Sequence, residues 1–509
     1  MEAPGWAVAV ATLPVLSLAV LVLRRQPLTR SAAVATVLAA VLSVTVFRLD
    51  VGGLGVGVLR GLWTGGWILA IVLPALLLFG VLERSGMLDR LADVATGIAP
   101  TPARQRLLLA WILPSFLQGA AGFGTPIAMV APMLVRVGLT PIAALATSLI
   151  GYQWAVTFGS MGSSYFMAAG TARLDEAAAA SFALRTGVVL AASCIVSGLL
   201  VLGGRREDRR DLPVTLLIGA VMGGTLVAVV TVQPALGSVV AGLAGLLVAY
   251  AVLPRGGGDR PRAGDLLQAA FPYLVLTATV VVAYGIGPVR RGLEEVPRIA
   301  PVLPGTTAAF GHVNDAAAVT PAFHPLLHPW IHLLVAATVG VLVYRRQGRW
   351  PPGTTGETLR AWGDRAGAVS WSILTLTVLA SILTEAGMIA VVAVAAATLL
   401  GYGFVVASPL LGAFGTVLTG STTASNALFA SLQADVAERL GLAVPALLSG
   451  QTAGGNLGNA LSPINIAVGA AVVGVIGQEG EVVRRNLRPA AILAATVVVA
   501  VVVQVLLTP

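Results

Sequence analysis

Two strings rich in glycine and hydroxyl-bearing residues interrupt an otherwise apolar chain, LQGAAGFGTP at 117–126 and LTGSTTASNA at 418–427. In the first, Gly119, Gly122 and Gly124 let the backbone turn, and Thr125 with Pro126 restarts a helix, since Pro suits a first helical turn. Free N–H groups and the positive end of a half-helix dipole would then form a site for a carboxylate. In the second, Ser421, Thr422, Thr423, Ser425 and Asn426 add hydroxyls and an amide, which suit the oxygens of a hydroxy acid or a cation. Bilayer hydrocarbon cannot satisfy broken backbone, so irregular peptide of this kind is buried in protein or lines a cavity. Close helix packing is the competing use of small residues. For a single Gly or Ser the two uses are evenly balanced, but two matching clusters favour a binding site.

Each string precedes a long apolar stretch with polar residues at its middle. Tyr152, Gln153, Thr157, Ser160, Ser163 and Ser164 interrupt the first, and Gln451, Thr452, Asn456, Asn459, Ser462 and Asn465 the second. Amides at this density in a span are expensive unless they meet a ligand, water or one another. The pattern predicts two re-entrant hairpins, 108–135 and 407–436, each followed by a broken helix, 139–168 and 440–476. Trp154 is either a pocket wall or ordinary packing.

The elements that must position these residues are membrane helices. The chain has 509 residues, 57% hydrophobic and 10% charged, with mean hydropathy +0.90. These values exclude a soluble globular protein. Apolar stretches recur from 4–23 to 489–507 and predict an all-α polytopic membrane protein with about 12 transmembrane helices. Cys194 is the single cysteine, so no intramolecular disulfide or Cys-rich metal site forms. The first stretch lacks a basic leading region and reads as a retained helix rather than a cleaved signal. A net charge of +9 reflects arginines in short loops, where they orient the protein, and it implies no nucleic-acid partner. Clusters at Arg24, Arg25 and Arg30, at Arg84 to Arg106, at Arg205 to Arg210, at Arg255 to Arg262, at Arg345 to Arg349 and at Arg484 to Arg488 can all be cytoplasmic if both termini are outside. With no HExxH, GxSxG or close acidic pair in a span, the chain is not expected to be an enzyme.

An internal repeat is also visible. Ser85-Gly86-Met87 aligns with Ala386-Gly387-Met388 at an offset of 301 residues (387 − 86), and the same offset pairs Leu117 with Leu418 and Gly119 with Gly420. Combined with the arginine topology, it predicts an inverted repeat: 1–203 as the first unit, 204–266 as linking helices and 267–509 as the second. Such repeats place substrate at their interface and favour alternating access; a channel is the less favoured alternative.

The motifs GAAGFGTPIA at 119–128, AVTFGSMG at 155–162, SPLLGAFGTVLTGSTTASNALFASLQA at 408–434 and QTAGGNLGNALSPINIAVGAA at 451–471 resemble the L-lactate permease family. This resemblance implies a secondary active transporter of lactate, glycolate or a similar monocarboxylate. It also implies proton symport and an ion-transporter-superfamily fold in which hairpin-bearing domains move against a scaffold. The expected substrate-binding set is Gly119, Gly122, Gly124, Thr125, Tyr152, Gln153, Ser421, Thr422, Thr423, Ser425, Asn426, Gln451, Asn456 and Asn459. Where similar permeases carry an acid, an Asp and a Lys, this chain has Gln118, Thr422 and Asn459, all neutral. Proton or sodium coupling therefore both remain open, as does a dicarboxylate or larger carboxylate as cargo.

The remaining expectations concern partners and outlying charges. No cofactor or metal is expected. Partners would be a small carboxylate and membrane lipid, with a homodimer as one assembly open to the chain, in the cytoplasmic (inner) membrane as a multi-pass protein. Glu83 and Glu385 fall near span ends and read as solvated caps, Asp435 as marking a hairpin exit, and Arg136 as an interfacial anchor. His312, Asp315, His324 and His328 read as polar loop residues.

Overall fold

The computed structural model describes residues 4–24, 26–90, 93, 99, 101–120, 122, 125–203, 208–253, 263–315 and 320–507. Gly124, Arg25, Arg205, Arg206, Arg255, Arg260 and Arg262 lie outside the described residues, as do the side chains of Thr125 and Arg209. The chain is an all-α polytopic membrane protein. Among the described residues, ten helices are long and apolar enough to cross a membrane, or twelve if two bent pairs each count as one span.

Two helices run well beyond the hydrocarbon-length stretches that the sequence marks. Val51–Arg84 has 34 residues and Thr354–Glu385 has 32. Asp50 starts the first by accepting the Gly53 N–H at 2.9 Å, an N-cap that satisfies one of the orphan donors of a helix start. At the far end the polar extensions meet each other: Arg84 pairs with Glu357 at 2.6 Å and Arg365 with Glu83 at 3.2 Å. Apolar counting misses these turns because they are charged, yet they continue the same helices. The two helices pack closely because Gly61 has no side chain; a Cβ there would sit 2.5 Å from Val378 Cα. With Gly5–Leu23, Leu28–Thr45, Phe271–Gly285 and Pro329–Arg346 they form a supporting layer.

Hairpin 1 comprises Pro102–Leu107, a π-turn at Leu108–Ile112 and Leu113–Ala120, returning as Thr125–Arg136. Hairpin 2 comprises Phe404–Thr419 and Thr422–Arg439. The expected broken helices are also present: Pro141–Gly151 resumes as Ser163–Thr171, with a bend of 41° between, and Val444–Asn459 resumes as Pro463–Val473. These elements pack with Glu176–Leu202, Leu212–Val230, Gly237–Val252 and Glu479–Leu507 into a second body.

The hairpin bases lie at opposite ends of the molecule. Arg104, at the base of hairpin 1, pairs with Asp211 at 2.8 Å, and Arg106 donates to the Leu202 carbonyl at 3.0 Å. Leu202 ends the long helix whose start, Glu176, follows Arg173. At the Arg173 end the loop over 299–323 carries a two-residue antiparallel pair, Thr306–Thr307 with Val313–Asn314. Phe310 in that loop packs edge-on against Trp6 and Phe47, and the His312 ring lies over Gly387. Both termini belong to this end, since Gln504 donates to the Arg185 carbonyl at 2.9 Å. Arg136 is exposed, as an interfacial anchor should be.

Candidate functional site

The hairpin tips and the breaks in the two broken helices meet around a cavity of about 60 Å³, lined among others by Gln118, Tyr152, Ser160, Ser163, Thr422 and Asn459. One water needs on the order of 10–15 Å³ of such space, and drug-sized pockets run to ~300–1,000 Å³. This cavity therefore suits a ligand of a few heavy atoms. Its remaining lining, Val156, Ser164, Gly420, Ser421, Thr423 and Asn465, adds no charged side chain.

Two helices begin at this cavity. Ser163–Thr171 presents Ser163 and Ser164, and Thr422–Arg439 presents Ser421, Thr422 and Thr423. A helix start carries roughly half a positive charge and N–H groups without intrahelical partners. Two such starts facing one neutral cavity make a site for one anionic group, held by backbone dipoles and hydroxyls.

Neutral hydrogen bonds fix the two starts together. The Ser164 and Thr423 hydroxyls are 2.8 Å apart, and Asn426 Nδ2 donates to the Ser164 carbonyl at 2.8 Å. Asn459 Nδ2 donates to Thr422 Oγ1 at 2.8 Å, while Asn465 Nδ2 donates to Asn459 Oδ1 at 2.8 Å and to the Gly420 carbonyl at 3.1 Å. Deeper in, Thr157 donates to Asn456 Oδ1 at 2.9 Å and lies 3.1 Å from the Thr452 hydroxyl, so the two broken helices clasp each other behind the cavity. A buried network of this kind favours one geometry.

The backbone next to the cavity is strained. Ser160 and Met161 have φ of 46° and 55°, followed by Gly162 at 76°. Consecutive non-glycine residues in the left-handed region cost on the order of 1–3 kcal/mol each and persist where surrounding structure imposes them. Here the tip of hairpin 1 does so. Gly122, at φ 58°, comes so close to Ser160 that a Cβ would fall 1.8 Å from its Oγ.

Of the residues expected to bind substrate, Tyr152, Ser421, Thr422, Thr423 and Asn459 line the cavity, and Gly122 abuts it through Ser160. Others turn elsewhere. Gln153 Nε2 donates to Ser197 Oγ at 3.1 Å, and Gln451 Nε2 lies 3.2 Å from Ser425 Oγ, which donates to the Gly412 carbonyl at 2.8 Å inside hairpin 2. Gly119 serves a close approach to the backbone of Val239, where a Cβ would lie 2.4 Å from nitrogen. Asn426 and Asn456 hold the network just described, and Trp154 is fully buried, its carbonyl 3.4 Å from Asn456 Nδ2. Gln118, Ser160, Ser163, Ser164 and Asn465 join the lining. Their signal in the sequence was adjacency to the glycines of the same breaks.

Glu385 corrects an expectation. It is not a solvated cap but fully buried, 3.0 Å from Arg60 Nε and 2.5 Å from Arg173 Nη2, with Thr306 donating to its other oxygen at 2.5 Å. Thr306 and His312, from the loop that carries the two-residue strand pair, fold across this helix end and take it out of water. Glu83, by contrast, is part-exposed beside Arg365. Asp435 lies within the second helix of hairpin 2, not at its exit. His312 Nε2 is 3.0 Å from the Thr384 carbonyl, and burial holds its pKa below the usual histidine value. Among the described residues, no group of three or more His, Cys, Asp or Glu is placed to hold a metal ion.

The L-lactate permease family matches residues 7–508. The L-lactate permease of Escherichia coli K12 is 27% identical over 478 residues, covering 87% of this chain and 84% of that protein. The glycolate permease GlcA of the same organism is 25% identical over 519 residues, covering 91% and 89%. Among solved structures, the YdaH transporter of Alcanivorax borkumensis superposes with a TM-score of 0.50 at 16% identity, covering 87% of this chain and 86% of its own. That likeness concerns the fold.

Proposed function

The chain belongs to the L-lactate permease family and is a multi-pass membrane permease for small carboxylates, and on that premise we propose that it moves a monocarboxylate such as L-lactate or glycolate by cation symport and alternating access. Its relatives are permeases, not enzymes. The observation that carries the reading is the pair of helix starts, at Ser163 and Thr422, facing one small neutral cavity. One carboxylate fits two half-dipoles, and the hydroxyls of Ser163, Ser164 and Thr423 supply partners for a 2-hydroxyl group. A dicarboxylate would call for a cationic group at the tips, and among the described residues the lining has none.

In this proposal the two halves are inverted repeats. The opposite placement of the two hairpin bases supports it, as does the 301-residue offset. The Arg104 end faces the cytoplasm, by the excess of arginine there. Because no acid lines the cavity, the coupling cation is met by hydroxyl and carbonyl oxygens or arrives as a proton with the acid itself. Uptake of labelled lactate, glycolate and larger acids into proteoliposomes, each with an imposed proton or sodium gradient, tests this. Saturable, gradient-driven lactate or glycolate uptake supports the reading. Transport of larger or dianionic acids alone, or of no acid, refutes it.

A further inference from the structure

Outside the tip cavity, the strongest concentration of charge is at the Arg173 end. Arg60 and Arg173 share the single carboxylate of Glu385, with side chains only 4%, 17% and 0% exposed. Two guanidiniums thus share one fully buried carboxylate, Arg60 being buried and Arg173 partly so. Buried charge of that kind is costly unless an anion accompanies it. Of the nearby acids, Asp175 caps the following helix through the Ala178 N–H at 2.7 Å, and Asp435 divides its electrostatic attraction between Arg439 and Arg173. Glu176 stands exposed in solvent.

Arg173 also stands between two cavities. On one side lies a space of about 470 Å³ lined by Trp67, Tyr165, Arg173, Arg298 and His324, with Asp175 and Glu176 also in its wall and exposed residues such as Val302 at its rim. On the other is a space of about 20 Å³ between the supporting layer and the hairpin-bearing body, lined by Arg60, Thr64, Thr377 and Thr384. Arg173 and Gly170 line both. The smaller space has only donor-bearing side chains beside its apolar ones, and Thr377 and Thr384 lie on the helix whose next turns, at Ser372 and Leu376, face Ser421 and Thr423 of the tip.

We propose that the larger cavity is a second carboxylate site, the outer station of the transport path, in which Arg173 receives the substrate's anionic group by exchanging it for Glu385. Arg173 follows the Ser163–Thr171 half-helix, whose start lines the tip cavity, and Glu385 ends a helix of the supporting layer. Arrival of an anion therefore releases a tie between the two bodies at the moment that substrate is present. Arg298, exposed at the rim, draws the anion in. A guanidinium suits this role because its planar fork matches a carboxylate and stays charged.

The inference rests on the carboxylate reading, and its test separates the two. Initial rates of lactate transport are measured from each face, in right-side-out and inside-out membrane vesicles, for the unaltered protein, Arg173→Gln, Arg173→Lys and Arg298→Gln. Loss of a charge-assisted hydrogen bond should raise KM from the outer face about ten-fold or more in Arg173→Gln, with KM from the inner face within about two-fold of normal. Arg173→Lys should recover part of that loss, and Arg298→Gln should raise the outer KM less and weaken its dependence on salt. Equal shifts from both faces, or none, would overturn the outer station. If Arg173→Gln fails to insert, Arg298→Gln decides alone, an unchanged outer KM being the contrary result. Should the unaltered protein carry no monocarboxylate, the proposed function falls first and takes this site with it.

Discussion

Replacing Thr422 by Asp sets one carboxylate into a cavity that has no charged side chain in its lining. A substrate carboxylate about 4 Å away would be repelled by about 4 kcal/mol at an effective dielectric constant of ~20, which is about a thousand-fold in KM. Asn459→Lys alone does the opposite: an unpaired ammonium beside two helix starts should lower KM and slow release, so maximal rate falls. The two positions touch, Asn459 Nδ2 donating to Thr422 Oγ1 at 2.8 Å, so the double variant turns a neutral hydrogen bond into an ion pair across the same contact. Its KM should return to within about ten-fold of normal, because the added ammonium offsets most of the ~4 kcal/mol repulsion from the introduced carboxylate. The assay is concentration-dependent lactate uptake in proteoliposomes, with melting temperatures to confirm folding. If Thr422→Asp leaves KM unchanged, or if the double variant keeps the full thousand-fold rise of Thr422→Asp, the substrate's charge does not sit beside these residues and the cavity has been misassigned.

Three further outcomes follow from contacts already described. Gly122→Ala combines a positive φ of 58° with a Cβ 1.8 Å from Ser160 Oγ, so it should displace the hairpin 1 tip and abolish saturable uptake while the detergent-purified protein still melts cooperatively. Gly454→Ala would press a methyl to 1.9 Å from the Pro409 carbonyl oxygen, parting hairpin 2 from the broken helix behind it; overpacking of this kind costs about 1–3 kcal/mol, read as a lowered melting temperature. His312 has its pKa depressed by burial, so the unfolded chain binds the proton more readily. Its contribution to stability is complete above the ordinary histidine pKa and is lost as pH falls through and below that value, so the melting temperature should drop between pH 7.5 and 5.5, and His312→Gln should flatten that drop.

The parts of this site that were legible in the sequence share one physical cause. Glycines and hydroxyls at membrane depth break the backbone, and broken backbone in an apolar chain must be answered by protein or ligand, so Ser421, Thr422, Thr423 and Tyr152 could be placed before any coordinates were. Amides carry no such direction. Gln153 and Asn459 look alike in the chain, yet one bonds to Ser197, 44 residues on, and the other closes the cavity with Thr422, because which face of a broken helix meets the tip depends on the angle of the break. The strain at Ser160 and Met161 was equally hidden, since neither residue type favours a left-handed backbone and the close approach of Gly122 to Ser160 joins parts of the chain far apart in sequence. Glu385 shows the same limit for charge. At the end of an apolar run it has the pattern of a solvated cap, and what buries it is Thr306 from a distant loop together with Arg60, well inside another helix, and Arg173, two residues past a third. Apolar patterning locates the ends of spans but does not tell which ends are covered. A charged residue at such an end is decided by its long-range partners, and here those partners belong to both bodies of the protein, which is why a residue that reads as incidental in sequence sits at the contact between the two.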